Sequence, residues 1–213
     1  MNELFSESPI IGYGLILFLL GLIYFEVATL AIFIIIAGIL AFMLYFYRAP
    51  EGVPEHATIP SNVVLAPSYG TVKAIRHEDD YVYVAIFLSP VDVHQQYYPV
   101  NGIVRKRVYD FTGKYDVAFN INKSRHNEKK IHVIQTEHGV VLVTQLAGFL
   151  VRAIVSDEDI NVKVKAGKRF GMIKFGSRVD IAIPRHNGFK LSCKIGDKLT
   201  GGREIIGKWT TEA

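Results

Sequence analysis

The sequence has a single cysteine, Cys193, among its 213 residues. One cysteine cannot build an intrachain disulfide framework, and it excludes a metal site made of several cysteines. The seven histidines are scattered, and none forms a metal-ligating pair at helical spacing. The phosphate-binding loop motif and the glycine fingerprint of dinucleotide-binding folds are also missing. The sequence therefore predicts neither a metal centre nor a nucleotide cofactor.

A strong charge of either sign is lacking as well. The formal net charge is +4, from 24 basic and 20 acidic residues. A modest basic excess suits an anionic membrane surface or a nucleic acid, and it does not distinguish between them. Hydrophobic residues make up 50% of the chain, and the first quarter holds more than its share. The two parts of the chain are therefore considered separately.

Charge is almost absent from Ile10–Tyr47, where Glu26 is the exception. A membrane span needs about 20 apolar residues, so this stretch is too long for one untilted helix and long enough for two short ones. Glu26 is costly within hydrocarbon. The sequence therefore predicts a membrane anchor over residues 1–48, as a two-helix hairpin with Ile10–Phe25 entering and Val27–Tyr47 returning. A single tilted helix and a re-entrant hairpin are the alternatives.

The anchor is predicted to stay on the protein. A cleaved signal peptide has a positive start and an apolar core of about 7–15 residues, whereas this chain begins Met1-Asn2-Glu3 and has a longer core. Arg48 follows the apolar stretch, which favours a cytoplasmic location for the domain after it in a cell membrane. The segment 49–60 contains Pro50 and Pro54 and predicts a linker.

Short strand patterns fill residues 61–213. Tyr81–Leu88 is rich in aromatic and β-branched residues, which favours a strand. Ile131–Thr136 and Val140–Leu146 alternate on either side of Glu137-His138-Gly139, which is typical of a hairpin. No long helix is predicted here. Many short strands predict a mainly β domain with a sandwich-like or barrel-like core.

The loop Ser89-Pro90-Val91-Asp92-Val93-His94 follows the predicted strand Tyr81–Leu88. Loops at strand ends often carry functional sites, and Asp92 and His94 can both transfer protons. An Asx turn next to an exposed histidine is the alternative interpretation. Spacing alone does not decide between the two.

The pair Gly176-Ser177 lies between an apolar approach and an alternating exit at Val179, Ile181 and Ile183. Glycine permits backbone conformations that other residues avoid, and serine is a common turn residue. Considered alone, the pair predicts a turn between two strands. The function of this pair depends on the rest of the chain.

Several segments, in the same order, resemble the short form of the phosphatidylserine decarboxylase proenzymes. The Asp-His loop and the segment around Gly176-Ser177 are the most specific of them. Ala49 is a departure, since an aspartate is expected there, and Arg125-His126-Asn127-Glu128 is only a loose match. The matching segments are Phe46-Tyr47-Arg48-Ala49-Pro50, Ala66-Pro67-Ser68-Tyr69-Gly70, Ser89 to His94 with Pro99 and Gly102, Gln145-Leu146-Ala147-Gly148, and Phe170 to Arg178.

The resemblance implies a pyruvoyl-dependent decarboxylase that makes its own prosthetic group. Ser177 would attack the carbonyl of Gly176, and elimination would leave a pyruvoyl group in place of Ser177. The products would be a β chain, Met1–Gly176, and an α chain, 177–213, held together as a heterodimer that could form a higher oligomer. The substrate amine would form a Schiff base with the pyruvoyl group, whose adjacent carbonyl accepts electrons as CO2 leaves.

The resemblance also implies an aspartate and a histidine that assist self-cleavage, since a serine hydroxyl is weakly nucleophilic without a base. Asp92 matches the aspartate by its motif, and His138, in the Glu-His-Gly turn, is the candidate histidine. His94 is a second candidate, for contact with the substrate carboxylate or for proton delivery. An ordinary hairpin residue is the alternative role for His138.

The implied substrate is a serine phospholipid, converted from phosphatidylserine to phosphatidylethanolamine. An archaeal archaetidylserine decarboxylase would share every one of these motifs, so the lipid backbone stays open. A membrane-anchored β domain that binds a partner or carrier, with Gly176-Ser177 as a plain turn, is the alternative of a different class. Four basic residues are hypothesised to contact the lipid phosphate: Arg105, Arg107, Lys123 and Arg125.

Overall fold

The computed structural model of the protein divides into two compact units, Met1–Tyr45 and Phe46–Ala213. The residues that the structure describes are 9–50, 52–54, 57–78, 80–111, 116, 120–121, 123–148, 154–173, 177–186 and 188–210.

The apolar N-terminal stretch forms one unbroken helix, α1, over Pro9–Phe46. The two-helix hairpin is therefore wrong, and the single-helix alternative fits. Nothing near Glu26 breaks the helix, and Thr29 Oγ1 donates to the Phe25 carbonyl 2.7 Å away, as helical Ser and Thr often do. Within Tyr13–Phe46, an 18-residue window reaches a mean hydropathy of 2.9, and the segment is long and apolar enough to cross a membrane. At 1.5 Å per residue the whole helix is about 57 Å long, so a bilayer would require it to tilt or to extend beyond the hydrocarbon.

The second unit is built mainly from strands, as expected. A 3-10 helix, Lys123–His126, lies between the fifth and sixth strands. The strands in the described residues are β1 Val63–Leu65, β2 Gly70–His77, β3 Tyr81–Leu88, β4 Gln95–Tyr97, β5 Gly102–Asp110, β6 Lys129–Thr136, β7 Gly139–Leu146, β8 Ile154–Ser156, β9 Val162–Val164, β10 Arg169–Ile173, β11 Ser177–Pro184, β12 Lys190–Leu191, β13 Lys198–Leu199 and β14 Ile205–Lys208.

These strands form one large sheet and two small ones. The large sheet has the order β13-β2-β3-β11-β7-β6-β5-β9, and the small ones are β1-β14-β12 and β4-β10-β8. Neighbouring strands are antiparallel throughout. The predicted mainly β domain is confirmed, although the large sheet stays open and does not close into a barrel.

The core lies on one face of the large sheet, and β11 is at its centre. Val179, Ile181 and Ile183 are completely buried, so the predicted alternation is confirmed. β11 pairs with β3 along all eight of its residues and with β7 along five. The hairpin of β6 and β7 turns at Gly139, whose φ of 105° favours glycine.

β11 begins at Ser177, and three residues separate it from the end of β10 at Ile173. β10 belongs to a small sheet and β11 to the large one. The short segment between them therefore connects two sheets, and the predicted cleavage bond lies in it. Gly176, with the two residues before it, lies outside the described residues.

Candidate active site

Ser177 is the first residue of β11 and lies opposite Leu88, the last residue of β3. Its side chain is completely buried on the core face of the strand. Its Oγ is buried without a hydrogen-bond partner among the described residues. Buried hydroxyls are normally hydrogen-bonded, and Ser177 shares this unpaired state with Ser68 and Ser156 in the described part of the chain.

The Asp-His loop follows β3 directly. The Asp92 carboxylate closes this loop, because its Oδ2 accepts from the Ser89 N–H at 2.8 Å and from the Ser89 hydroxyl at 2.7 Å. The Asp92 carbonyl lies 2.9 Å from His94 Nδ1. A carbonyl only accepts, so Nδ1 carries the proton and Nε2 carries the lone pair in the neutral ring. Asp92 therefore orients His94 through its backbone.

The His94 ring is completely buried, with its centroid 4.4 Å from that of Phe46. Burial lowers the pKa of His94 below the usual 6.5, outweighing the contrary effect of the Asp92 carbonyl and carboxylate. The ring is therefore neutral at pH 7. Its Nε2 is buried without a hydrogen-bond partner among the described residues, like Ser177 Oγ. A neutral imidazole with a free Nε2 lone pair has the form of a general base.

The structure brings the Asp-His loop to both ends of the segment that precedes Ser177. The N–H of Ile173, at the end of β10, donates to the His94 carbonyl at 3.3 Å. Ser177, at the start of β11, pairs with Leu88 just before the loop. Ser177, Asp92 and His94 therefore lie at the same end of the large sheet.

His138 lies at the opposite end. Leu146 of β7 pairs with Arg178, whereas His138 precedes Gly139 at the other end of the same strand. Seven residues at about 3.4 Å each put about 24 Å between those ends. The structure therefore separates His138 from Ser177 too far for proton transfer, and its predicted role in self-cleavage does not fit.

His138 instead packs in the core. Its ring stacks on Trp209 with centroids 4.6 Å apart and planes 16° apart. Its Nε2 lies 3.3 Å from Glu137 Oε1, without hydrogen-bond geometry. Trp209 is itself buried and donates from Nε1 to the Pro184 carbonyl at 3.0 Å. The ordinary hairpin role that was the alternative for His138 fits these contacts.

A chain of buried hydrogen bonds leads to His94, and the sequence analysis missed it. Arg107 Nη1 lies 3.1 Å from His132 Nδ1, and His132 Nε2 lies 2.7 Å from Gln145 Oε1. Gln145 Nε2 donates to Gln96 Oε1 at 2.9 Å, and Gln96 Nε2 donates to the His94 carbonyl at 2.7 Å. We call these five residues the Arg107–His94 relay. It holds the His94 backbone through the carbonyl, whereas Asp92 contacts the His94 ring.

The two ends of the relay fix its direction. Arg107 can only donate and the His94 carbonyl can only accept, so each group between them donates toward His94. His132 must then be neutral, with its proton on Nε2. Burial lowers the pKa of His132 to about 4, with a smaller opposing effect from Gln145, so the neutral ring is the stable form at pH 7.

The relay could have been found from the strand alternation. His132 shares the buried face of β6 with Ile134, and Gln145 shares that of β7 with Val141 and Val143. A polar residue in an inward position of an otherwise apolar face requires a partner. The motif around Gln145 was noted in the sequence, but its burial was not inferred.

Replacing Gln145 with leucine should break the relay. The change leaves the His132 Nε2–H and Gln96 Oε1 buried without partners, and each orphaned group costs about 1–3 kcal/mol. We expect the free energy of unfolding to fall by about 2–6 kcal/mol, measured by urea denaturation of the detergent-solubilised protein. Gln135→Leu is the matched control, because the Gln135 side chain is half-buried and, among the described residues, donates to the neighbouring Thr136 carbonyl alone. Equal losses in both variants would contradict a special role for the relay.

Arg178, next to Ser177, points to the opposite face of β11. Its guanidinium is buried and binds both carboxylate oxygens of Asp180, at 2.8 and 2.9 Å. It also donates to the Ser124 hydroxyl at 2.5 Å, which ties the 3-10 helix to the start of β11. Arg178 therefore fixes the strand end that presents Ser177.

Of the four basic residues hypothesised to contact phosphate, Arg107 is engaged within the protein. Arg107 uses its donors within the protein, on His132, on the Tyr98 hydroxyl at 3.1 Å and on the Asp159 carbonyl at 3.0 Å. Arg105 is exposed and lies 3.4 Å from Asn161 Oδ1. Lys123 is exposed, and the side chain of Arg125 lies outside the described residues. The hypothesis is therefore abandoned for Arg107.

Comparison with known proteins agrees with the resemblance found in the sequence. The family model described as phosphatidylserine decarboxylase matches residues 39–207. A phosphatidylserine decarboxylase proenzyme of Chlorobium luteolum is 34% identical over 195 residues, which cover 89% of each chain. One of Chlorobaculum tepidum is 38% identical over 178 residues, 80% of this chain and 79% of the relative. A protein of Methanococcoides burtonii, provisionally named archaetidylserine decarboxylase proenzyme, is 34% identical over 167 residues, 78% of this chain and 75% of its own. The chain belongs to the phosphatidylserine decarboxylase family.

Proposed function

We propose that the protein is a membrane-anchored, pyruvoyl-dependent decarboxylase of serine phospholipids. Its relatives are named as decarboxylase proenzymes, which supports the activity and a cleaved precursor. The observation that carries the proposal is the orphaned, buried Ser177 Oγ at the end of the central strand, beside the loop that holds a neutral His94.

Self-cleavage would begin with attack of Ser177 Oγ on the carbonyl carbon of Gly176. The peptide C–N bond breaks, and an ester between Gly176 and the serine oxygen replaces it. Removal of the Cα proton of residue 177 then expels the Gly176 carboxylate and leaves a dehydroalanine. Addition of water and loss of ammonia give the pyruvoyl group, so all atoms are accounted for without an oxidant.

Within this sequence His94 would accept the proton of Ser177 Oγ. Its Nε2 lone pair is free because Nδ1 is fixed on the Asp92 carbonyl. Asp92 is a positioning residue, which holds the loop through Ser89 and the imidazole through its backbone. A base held by a third group is the usual arrangement for activating a hydroxyl nucleophile.

The surroundings of Ser177 suit a prosthetic group formed in place. The residue is buried at the end of a strand that lies between β3 and β7, and the next residue, Arg178, is buried and bonded to Ser124. The pyruvoyl group would supply a carbonyl that accepts electrons when CO2 leaves the substrate. His94 would then be placed to return a proton to the carbon that loses CO2.

The two chains made by cleavage would stay together without a covalent bond. The α chain would begin with β11, which lies between β3 and β7 of the β chain. Its last strand, β14, also pairs with β1 of the β chain. Trp209 adds a buried contact with His138. We therefore expect separation of the chains to require denaturation.

Self-cleavage should depend on pH through His94. The base form exists above the pKa of His94, which burial holds below 6.5. The rate should rise to a plateau as the pH increases and fall in acidic solution as the ring becomes protonated, with a midpoint below pH 6.5. The appearance of the α chain after cell-free synthesis in buffers of different pH measures this profile. A midpoint above pH 6.5 would contradict a buried imidazole as the base.

The proposed substrate follows from the family and from the apolar helix. We propose that α1 holds the enzyme in the cell membrane, with the second unit on the cytoplasmic side. The decisive assay supplies the purified protein with serine lipids of ester and ether backbone and measures CO2 and ethanolamine-lipid products. Turnover of either lipid supports the proposal and identifies the backbone. A processed protein that turns over neither lipid would contradict it, and an unprocessed, inactive chain would favour a binding domain.

A further inference from the structure

A cleft of about 750 Å³ lies beside the segment that follows the apolar helix. One wall is formed by residues of that segment: Ala49, Pro50, Gly52, Val53, Pro54 and Ala57. The other wall is formed by residues of β9 and of the turn that leads from it into β10: Lys163, Lys165, Ala166, Gly167, Lys168 and Arg169. None of the residues assigned to self-cleavage lines this cleft, so it is separate from the proposed active site.

The second wall is strongly basic. The four cations on it are all exposed, and no carboxylate is among the described lining residues. None of the four forms an ion pair within the described part of the chain. Lys163 and Lys165 flank the buried Val164, so they share the outer face of β9. The four are Lys163, Lys165, Lys168 and Arg169, and we call them the basic wall.

The opposite wall is held rigidly against the domain. The Tyr97 hydroxyl donates to the Pro50 carbonyl at 2.5 Å, and Arg203 Nε donates to the Gly52 carbonyl at 2.9 Å. Gly52 packs so closely that a Cβ there would lie 2.0 Å from the Gly167 oxygen. The linker is therefore part of the folded domain at this point, and the cleft exists before any ligand enters.

Chain connectivity keeps the cleft close to the C-terminal end of α1. Pro50 is four residues after Phe46, the last residue of α1. Four residues span at most about 14 Å, so the cleft wall cannot lie far from the end of the helix. A leaflet that contains anionic lipids attracts basic residues only within about a Debye length of its surface, about 8–10 Å.

We propose that the basic wall binds the phosphate groups of anionic phospholipids in the leaflet next to the end of α1. The basic wall is positively charged, exposed and part of a preformed cleft, which suits a row of phosphate groups. Each cation near an anionic membrane surface strengthens binding to it about fivefold. β10 starts at Arg169 in the wall and ends at Ile173, which bonds the His94 carbonyl. Lipids held at the wall would therefore gather beside the site that decarboxylates them. The inference rests on the membrane anchorage proposed above and does not depend on the chemistry at Ser177.

The test is amide hydrogen exchange of the full-length protein in nanodiscs. Discs of phosphatidylcholine alone are compared with discs that also contain phosphatidylglycerol. Exchange in the peptide that covers the basic wall should slow at least about fivefold in the anionic discs, and added salt should remove the effect. A variant with glutamine at all four positions should show no difference between the discs. The matched control has glutamine at four exposed lysines elsewhere, Lys190, Lys194, Lys198 and Lys208.

Three outcomes would overturn the proposal. The first is equal exchange of the wild-type basic wall in both kinds of disc. The second is slower exchange in the anionic discs that persists when all four wall residues are glutamine. The third is loss of this slowing in the control variant as well. If inorganic phosphate slows exchange of the basic wall in discs of phosphatidylcholine alone, the wall is a site for small anions. That result would also contradict binding of the wall to a lipid leaflet. Unchanged exchange of β3 and β11 verifies that the variants are folded. If the variant with four substitutions is not folded, the double variant Lys168→Gln/Arg169→Gln replaces it. The salt dependence of exchange in the wild-type protein is then the second test of binding to the anionic leaflet.

Discussion

Ser177→Ala should give a single, uncleaved chain of 213 residues with no decarboxylase activity. Alanine has no hydroxyl to attack the Gly176 carbonyl, so neither the ester nor the prosthetic group can form. Because Ser177 is completely buried among core residues, the smaller alanine should fit the site without unfolding the sheet. Gel electrophoresis and intact-mass measurement report cleavage, and CO2 release from serine lipids reports activity.

The control for this variant is Ser156→Ala. Ser156, in β8, also has a buried hydroxyl without a partner among the described residues. If a buried hydroxyl without a partner were sufficient for a role in self-cleavage, Ser156→Ala would lose cleavage as Ser177→Ala does. We expect the Ser156 variant to be cleaved and active, whereas release of a 37-residue chain (213 − 177 + 1) from Ser177→Ala would exclude Ser177 as the nucleophile.

His94→Gln should slow self-cleavage about 100- to 10,000-fold, the range typical of losing a general base. Glutamine is of similar size and polar, but its amide cannot accept a proton at neutral pH. The relay contacts only the His94 carbonyl, so the substitution leaves it intact. The fraction of cleaved chain, followed in time after cell-free synthesis, gives the rate.

His138→Gln is the matched control, because both histidines have an aromatic neighbour and a buried Nε2. It removes a stacking contact with Trp209 at the opposite end of the sheet and should leave the cleavage rate unchanged. Comparable slowing in both variants would show that cleavage depends on general stability of the fold. Wild-type cleavage in His94→Gln would show that another group acts as the base.

Much of the strand pattern could be predicted because alternation and burial are local properties of the sequence. Tyr81–Leu88 is a strand with the predicted bounds, and the hairpin around Gly139 lies where turn chemistry placed it. Ser177 also lies at a junction between two strands, as expected from Gly176-Ser177. These features depend on neighbouring residues and need no knowledge of the tertiary structure.

The partners of Ser177 could not be predicted in this way, because strand order is not local. Both Asp92-x-His94 and His138 lie in turns, and only the pairing of β11 with β3 and β7 shows which turn is close to Ser177.

Glu26 was misleading for a different reason. The cost of one charge favoured a helix break, but the continuous helix keeps its backbone hydrogen bonds throughout Pro9–Phe46.

The polar interior was missed because a sequence shows polarity without burial. Arg107 was hypothesised to contact phosphate, yet it starts a relay that ends at His94. The basic wall was missed for the same reason, since the sequence does not show what Lys163 and Lys165 face. Only the fold shows that they face the segment that leaves the apolar helix.

The intact mass of the purified, untreated protein tests the central claim most directly. The account predicts two chains, a β chain ending at Gly176 and an α chain of 37 residues without a free N-terminal amine. The α chain should react with a carbonyl reagent, because its first residue would carry a keto group. A single chain of 213 residues in a preparation that decarboxylates serine lipids would contradict the account.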